Sequence, residues 1–161
     1  MKTYQSSDLR NFAIVGHASS GKTMLSECML ACSGVQNRLG TIDAGNTMSD
    51  YHPEEKERKI SIHASLLHCE WLDRKFNLID TPGYLDFISE GLSALRVGDF
   101  ALVVVNAFHG IGVGTDQVWQ YATTYGIPKM IVINGLDKEH VDFPTALEQV
   151  QSRFGNRVFP M

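Results

Sequence analysis

The amino-acid sequence predicts an α/β fold in which a mostly parallel sheet is flanked by helices. Short apolar runs suited to buried strands alternate with segments that favour helix along the chain. Glycine-containing and polar motifs follow several of these strands, at the edge of the sheet where such folds bind ligands. With 161 residues the chain can bury one core, so we expect residues 1–161 to form one domain or part of one.

Local composition predicts each element. Apolar runs bounded by turn residues favour buried strands, and segments of good helix formers with periodic apolar residues favour helices. In chain order the prediction is a strand at 11–16, a loop at 16–21, a helix at 22–32, strands at 60–71 and 75–79 about a turn at Asp73 and Arg74, a helix at 86–97, a strand at 100–106, a helix at 116–125, a strand at 129–134 and a helix at 143–154.

The segment between the first helix and the second strand is the least regular. Residues 34–59 show no sustained period, and a loop of this length in a small domain is usually functional or mobile. We expect the charged residues 54–59 within it to form a solvated surface.

Charge and composition exclude several classes of protein. The 14 Lys and Arg residues against 18 Asp and Glu give a net charge of −4, which offers no general attraction to DNA or to anionic lipid. No apolar run is long enough to span a membrane and no signal peptide is evident, so we expect a cytoplasmic protein. We expect Cys28, Cys32 and Cys69 to be small buried residues in a reducing compartment, and the six histidines show no metal-ligand spacing.

Eight consecutive residues match the phosphate-loop pattern G-x-x-x-x-G-K-[ST] between a predicted strand and a predicted helix. They are Gly16, His17, Ala18, Ser19, Ser20, Gly21, Lys22 and Thr23. In such a loop the backbone N–H groups surround the β-phosphate, the lysine reaches the β- and γ-phosphates, and the hydroxyl binds Mg²⁺. The sequence therefore predicts a P-loop NTPase fold that binds a nucleoside triphosphate.

A second motif, D-x-x-G, follows the third predicted strand as Asp80, Thr81, Pro82 and Gly83. Here Asp80 can hold Mg²⁺ through water while the Gly83 N–H faces the γ-phosphate. An isolated D-x-x-G is more often an ordinary turn. Its position after a phosphate loop, at a strand end in the same sheet, indicates a GTPase-like switch.

Ser61 lies at the end of the long irregular segment. Its hydroxyl can reach both Mg²⁺ and the γ-phosphate when that segment is ordered. The predicted metal ligands are therefore Thr23, Ser61 and Asp80.

The sequence Asn134-Gly135-Leu136-Asp137 follows the last predicted strand, where a guanine-nucleotide protein has N-K-x-D. The Asp137 carboxylate can accept hydrogen bonds from the N1–H and 2-amino groups of guanine, a donor pair that adenine lacks. Asn134 is expected to bind the base edge and tie this loop to the phosphate loop. Gly135 lacks the methylenes of the usual lysine, which predicts a loss of about tenfold in affinity.

These motifs, in this order, resemble the GTP-binding domain of the elongation factor G family. The likeness is carried by residues 1–29, 50–62, 80–87, 95–99 and 134–143. It implies a translational GTPase that uses GTP, GDP and Mg²⁺, acts at the ribosome in a translocation-type step, and has further domains after this one. We expect the chain by itself to be monomeric.

Three departures from the family pattern affect the expected chemistry. Tyr84 replaces the catalytic histidine after D-T-P-G, so the predicted catalytic residues are Tyr84, Gly83 and Lys22, with a phenol in place of an imidazole. Ser61 and Lys59 replace the switch Thr and the Gly two residues before it, which keeps the hydroxyl but stiffens the loop.

The third departure concerns the base site. The sequence ends at Met161, before the last strand of the GTPase domain and its S-A-[KL] loop, so we expect a partial domain. The same tripeptide at residues 93–95 falls inside a predicted helix and cannot serve as that loop.

Three functions follow from these patterns. The first is a GTP-binding, Mg²⁺-dependent hydrolase domain, weak in isolation. The second is a non-hydrolysing guanine-nucleotide module that docks on the ribosome, suggested by Tyr84, Gly135 and the missing strand. The third is a P-loop kinase or ATPase of another family, against which Asp137 argues.

Overall fold

The structure, a computed structural model, describes residues 2–161, so Met1 of the predicted domain lies outside it. Within these residues five strands form one sheet: β1 (Leu9–Val15), β2 (Ser65–Trp71), β3 (Arg74–Asp80), β4 (Phe100–Asn106) and β5 (Lys129–Asn134). Their order is β2-β3-β1-β4-β5, and only the β2–β3 pair is antiparallel. The prediction of an α/β fold with a mostly parallel sheet is confirmed.

Helices connect the strands and lie against the sheet. In the described part of the chain they are α1 (Lys22–Cys32), α2 (Pro53–Arg58), α3 (Ile88–Val97), α4 (Val113–Thr124) and α5 (Phe143–Phe154), with short 3-10 turns at Ser6–Asp8 and Leu85–Phe87. The bounds of α1, β4, β5 and α5 are those predicted from sequence. None of these helices has the length and apolar character that crossing a membrane requires.

The central strands of the sheet are buried on both faces. Their side chains point alternately to the two faces, and a hydrophobic cluster packs against a helix on each face. On β1, Phe12 and Ile14 join the cluster that packs against Leu30 of α1, whereas Ala13 and Val15 join the cluster that packs against Leu95 of α3. This double burial explains the continuous apolar sequence in the second half of β1, residues 12–15, and in nearly all of β4.

The irregular segment 34–59 was predicted to contain no helix, and this is wrong for its last part. Pro53 begins α2, a position at which its fixed φ and missing N–H are tolerated. The carboxylate of Glu55 accepts a hydrogen bond from the His52 N–H at 3.3 Å, which caps the helix start. Glu55 is also buried, so the charged stretch is not wholly a solvated surface.

The second strand was predicted to start at residue 60 but starts at Ser65. Backbone N–H groups in the preceding segment are bonded to glutamate side chains instead of a neighbouring strand: Ile62 and His63 donate to Glu55, and Ala64 donates to Glu90. The turn after β2 consists of Leu72 and Asp73, both with positive φ, so Arg74 already belongs to β3.

The cysteines were predicted to be buried, which is correct only for Cys69. Cys28 and Cys32 are exposed. Each lies two residues from the buried Leu30, which places both thiols on the opposite side of α1.

Lys59 provides a test of local backbone strain. It ends α2 with φ of 56°, a left-handed conformation. We expect Lys59→Gly to raise the free energy of unfolding by roughly 1 kcal/mol, because glycine adopts this conformation without the steric cost. The exposed ion pair with Asp43, at 3.5 Å, contributes little to stability. Urea unfolding measures the change, and Lys56→Gly, inside the same helix, should instead be destabilising. A loss of stability in the Lys59 variant would contradict the inference that the backbone at Lys59 is strained.

Candidate nucleotide-binding site

The loop between β1 and α1 closes tightly over the end of the sheet. Gly16 and Gly21 have φ of 144° and 95°, which favour glycine, and Ser19 is left-handed with φ of 59°. A Cβ at Gly16 would collide with the Val104 carbonyl oxygen of β4. The first glycine of the phosphate-loop pattern is therefore required by the close approach of two backbones.

Two asparagines at the ends of neighbouring strands hold the outer side of this loop. Asn134, the last residue of β5, donates from Nδ2 to the Ser20 carbonyl at 2.9 Å. Asn106, the last residue of β4, donates from Nδ2 to the Ser19 carbonyl at 3.2 Å. Sequence reasoning singled out Asn134 but missed Asn106, whose position at the carboxyl end of a buried strand was the available signal.

Lys22 lies under the loop and is buried, with 6% of its surface exposed. Its Nζ donates to the His17 carbonyl at 2.9 Å. Burial lowers the pKa of the Lys22 ammonium to about 8, and the carboxylates of Asp80 and Asp50 act in the opposite direction. The loop thus contains a partly desolvated cation at the place where the sequence predicts the β- and γ-phosphates.

The three predicted metal ligands lie together beside this lysine. Thr23 Oγ1 and Ser61 Oγ are 3.2 Å apart although the residues are 38 positions apart in sequence. Burial raises the pKa of the Asp80 carboxyl to about 6, against the opposing effects of the Ser49 and Thr23 hydroxyls and of Lys22. Neither Asp80 oxygen makes a hydrogen bond of ordinary geometry with any described residue.

Further unpartnered oxygen atoms surround the same point. Asp50 Oδ2 and Ser49 Oγ are buried without a hydrogen-bond partner among residues 2–161. Burial raises the pKa of the Asp50 carboxyl, and hydrogen bonding from Ser61 opposes this. Hydroxyl and carboxylate oxygens are the ligands that Mg²⁺ prefers, so this set of atoms fits such an ion.

The D-x-x-G turn is pressed against the phosphate loop. Thr81 is buried and donates to the Ile14 carbonyl of β1 at 2.7 Å. A Cβ at Gly83 would collide with Lys22 Nζ and with the Ala18 backbone nitrogen, so this position tolerates no side chain. Tyr84 follows with 41% of its surface exposed.

His17 links the loop to the start of α4. Its backbone N–H donates to Thr115 Oγ1 at 3.0 Å, and its Nδ1 accepts from the Gly114 N–H at 3.3 Å. Its ring leaves no room for a Cβ at Gly112. The His17 N–H is thus bonded within the protein, a contact that sequence reasoning did not anticipate.

Asn134, one of the two residues predicted to read the base, lies beside the phosphate loop. A Cβ at Gly21 would collide with Asn134 Nδ2, which shows how closely the two segments meet. Gly135 has φ of 82°, and a Cβ there would lie 3.9 Å from Lys138 Cε. Lys138 Nζ is 5.8 Å from the Phe108 ring centroid. Asp137 is exposed at this edge.

Phosphate binding explains why a loop with glycines of positive φ and a buried lysine lie together at the carboxyl end of β1. The chain is accordingly of the P-loop nucleotide-binding class. A family model described as the elongation factor Tu GTP binding domain matches residues 7–160, and the chain belongs to this family.

Individual relatives agree with this family. The chain is 36% identical over 146 residues to elongation factor G 2 of Borreliella afzelii, covering 91% of this chain and 22% of that protein. It is 36% identical over 154 residues to the mitochondrial ribosome-releasing factor 2 of Candida dubliniensis, covering 96% of this chain and 19% of that protein. It is 38% identical over 153 residues to elongation factor G of Thermotoga petrophila, covering 95% of this chain and 22% of that protein.

A solved structure is similar as well. A crystal structure of a protein from Thermus thermophilus matches with a TM-score of 0.87 and 38% identity, covering 91% of this chain and 22% of that one. The chain thus spans about a fifth of the length of the relatives that it matches. Together these likenesses make it a GTPase domain of the translation-factor type.

Asn106 provides a test of how the loop is held. Its Oδ1 also accepts from the N–H groups of Phe108 and His109, at 2.9 and 3.1 Å. We expect Asn106→Ala to lower the free energy of unfolding by about 1–3 kcal/mol, because partly buried backbone groups lose their partners. Urea unfolding measures this, with the exposed Asn37→Ala as control. Equal values for the two variants would show that Asn106 does not hold the loop.

Proposed function

We propose that this chain binds GTP and GDP with Mg²⁺ and hydrolyses GTP, as the GTPase domain of a ribosome-associated translation factor. The observation that carries this proposal is the meeting of Thr23, Ser61 and Asp80 beside Lys22. These residues come from three separate segments, and both buried oxygens of the Asp80 carboxylate lack a hydrogen-bond partner among the described residues, which the packing of the fold alone does not explain.

The phosphates are bound by groups of the loop. Backbone N–H groups at the start of α1 and the helix dipole favour the β-phosphate, and Lys22 supplies a positive charge to the β- and γ-phosphates. A bound Mg²⁺ would neutralise phosphate charge, with Thr23, Ser61 and Asp80 as its protein ligands or as partners of its water. Gly83 is pressed against Ala18 and Lys22, and its N–H would donate to the γ-phosphate.

Guanine is selected by Asp137, which accepts from the N1–H and 2-amino groups. The structure modifies the expected effect of Gly135. The Lys138 side chain lies beside the direction that a side chain at Gly135 would take, so its methylenes can supply part of the missing contact with the base. In addition, the positive φ of Gly135 would strain a lysine placed there.

Hydrolysis requires the attacking water to be oriented next to the γ-phosphate. Gly83 and Lys22 act on the phosphate side, and Tyr84 follows the D-x-x-G turn at the position from which a side chain can reach that water. A phenol is neutral at physiological pH and cannot provide the positive charge of an imidazolium. We therefore expect slow hydrolysis.

The proposed partner is the ribosome, in a translocation-type step, and the proposed location is the cytoplasm. The matched relatives are called elongation factor G and ribosome-releasing factor, which supports a ribosomal role for a protein that carries this domain. We expect the chain alone to be monomeric and to bind neither DNA nor membranes, consistent with its net charge of −4.

The second candidate is a guanine-nucleotide module that docks on the ribosome without hydrolysing GTP. The phenol of the partly exposed Tyr84, at the position where the family has an imidazole, favours it. In that case the GTP-bound form would persist on the ribosome and hydrolysis would not time its release.

Lys22→Ala tests nucleotide binding. We expect loss of GTP and GDP binding with a nearly unchanged fold, because the ammonium neutralises phosphate and contributes little to the apolar core. Titration with fluorescent GDP and competition by GTP and ATP measure this, and the exposed Lys56→Ala is the control. Unchanged GDP affinity would reject the phosphate-loop assignment, and preference for ATP would favour another P-loop family.

Tyr84→His tests the catalytic role. We expect GTP turnover to rise by roughly 10–100-fold if one contact worth about 1.4–2.7 kcal/mol in the transition state is gained. Nucleotide affinity should barely change. Single-turnover hydrolysis by the full-length protein that carries this domain, with saturating ribosomes, measures the rate, and Tyr125→His on the far end of α4 is the control. Equal or slower turnover in the Tyr84 variant would mean that the phenol does not limit the chemistry.

A further inference from the structure

The short segment that carries Ser61 is held mainly by one carboxylate. Glu55 Oε1 accepts hydrogen bonds from the backbone N–H groups of Ile62 and His63, at 2.9 and 3.0 Å. The Glu55 backbone carbonyl also accepts from the Ile60 N–H at 3.2 Å. Ser61 therefore lies between two residues that are both bonded to Glu55.

Glu55 is itself fixed in place. Only 1% of its surface is exposed, and its other oxygen, Oε2, accepts from the His52 N–H at the start of α2. Its neighbours on the same helix, Glu54 and Glu57, are exposed. One of three glutamates in α2 is thus turned inward, and both of its carboxylate oxygens accept backbone hydrogen bonds.

The consequence of this anchoring reaches the predicted metal ligands. Residues 60–64 have no partner strand, so the Glu55 bonds replace a sheet ladder in fixing the backbone on both sides of Ser61. In that position Ser61 Oγ lies 3.2 Å from Thr23 Oγ1 at the start of α1. A carboxylate oxygen accepts stronger hydrogen bonds from N–H groups than a neutral oxygen does, so a glutamate is suited to hold this segment.

We propose that Glu55 is the positioning residue of the switch: it holds the Ser61 hydroxyl beside Thr23 and thereby favours binding of the triphosphate over the diphosphate. This rests on the proposed function, because Ser61 is assigned there to Mg²⁺ and the γ-phosphate. In this proposal Glu55 is a ligand of neither the metal nor the nucleotide, since both of its carboxylate oxygens already accept backbone hydrogen bonds. Its carboxylate acts through the backbone N–H groups of Ile62 and His63, which follow Ser61 directly.

The main experiment compares affinities for GDP and for a non-hydrolysable GTP analogue in the presence of Mg²⁺. Glu55→Ala should weaken the GTP analogue by about tenfold or more and GDP by no more than about twofold. Glu55→Gln keeps Oε1 as an acceptor for Ile62 and His63, so it should retain most of the preference for the analogue. Glu57→Ala, on the exposed side of the same helix, should leave both affinities unchanged.

A double-variant cycle separates positioning from general destabilisation. In a Ser61→Ala background, Glu55→Ala should no longer change the ratio of the two affinities, because the hydroxyl that it positions is absent. An equal loss for both nucleotides, or the same loss with and without Ser61, would overturn the proposal and leave Glu55 as a residue that only stabilises the fold.

Amide exchange on the nucleotide-free protein distinguishes this proposal from the proposed function. The amides of Ile62 and His63 should exchange faster in Glu55→Ala than in Glu57→Ala, and unchanged exchange would overturn the anchoring. Absence of guanine-nucleotide binding by the wild-type chain would instead reject the proposed function, and with it the role of Ser61. A wild-type chain that binds both nucleotides, with a Glu55→Ala variant that keeps the same affinity ratio, would reject only the role of Glu55.

Discussion

The site depends on the outward orientation of the Ser19 and Ser20 carbonyl groups in the loop between β1 and α1. A loop can turn its N–H groups toward an anion only if its carbonyl groups find donors on the other side. Here the donors are the side-chain amides of Asn106 and Asn134, which hold the Ser19 and Ser20 carbonyls. Both asparagines end strands on the same side of β1 in the sheet order, so the parallel topology itself places them within reach.

Burial of charge is the second feature on which the site depends. Lys22 and Asp80 are almost fully buried, and burial opposes the charged form of both groups, as the directions of their pKa shifts indicate. A fold selected only for stability would have little reason to keep these groups, because apolar residues of similar volume often serve as well. Groups that already lack water shells interact more strongly with a phosphate or a cation than exposed groups do.

Sequence patterns predicted the elements whose signals are local. The continuous apolar run of β4 and the helix formers of α1 are examples, as are the motifs that follow β1, β3 and β5. The errors arise where a distant or polar partner decides the conformation. Residues 60–64 look like a strand in composition, but Glu55 and Glu90 bond their N–H groups in place of a neighbouring strand. Asn106 was overlooked for a related reason, since its role is a contact with a loop 87 positions earlier.

Because His17 contacts the start of α4, substitutions outside the sequence motifs can also disturb the phosphate loop. The imidazole fills the space in front of Gly112, and a Cβ at Gly114 would approach its Nδ1 at 3.0 Å. A single added methyl group in either place would push on the phosphate loop through this ring. In a mutational scan, these two glycines should therefore behave like members of the loop. The effect of such substitutions is steric. Tolerance to substitution in this protein therefore depends on the space around each residue as well as on contact with the ligand.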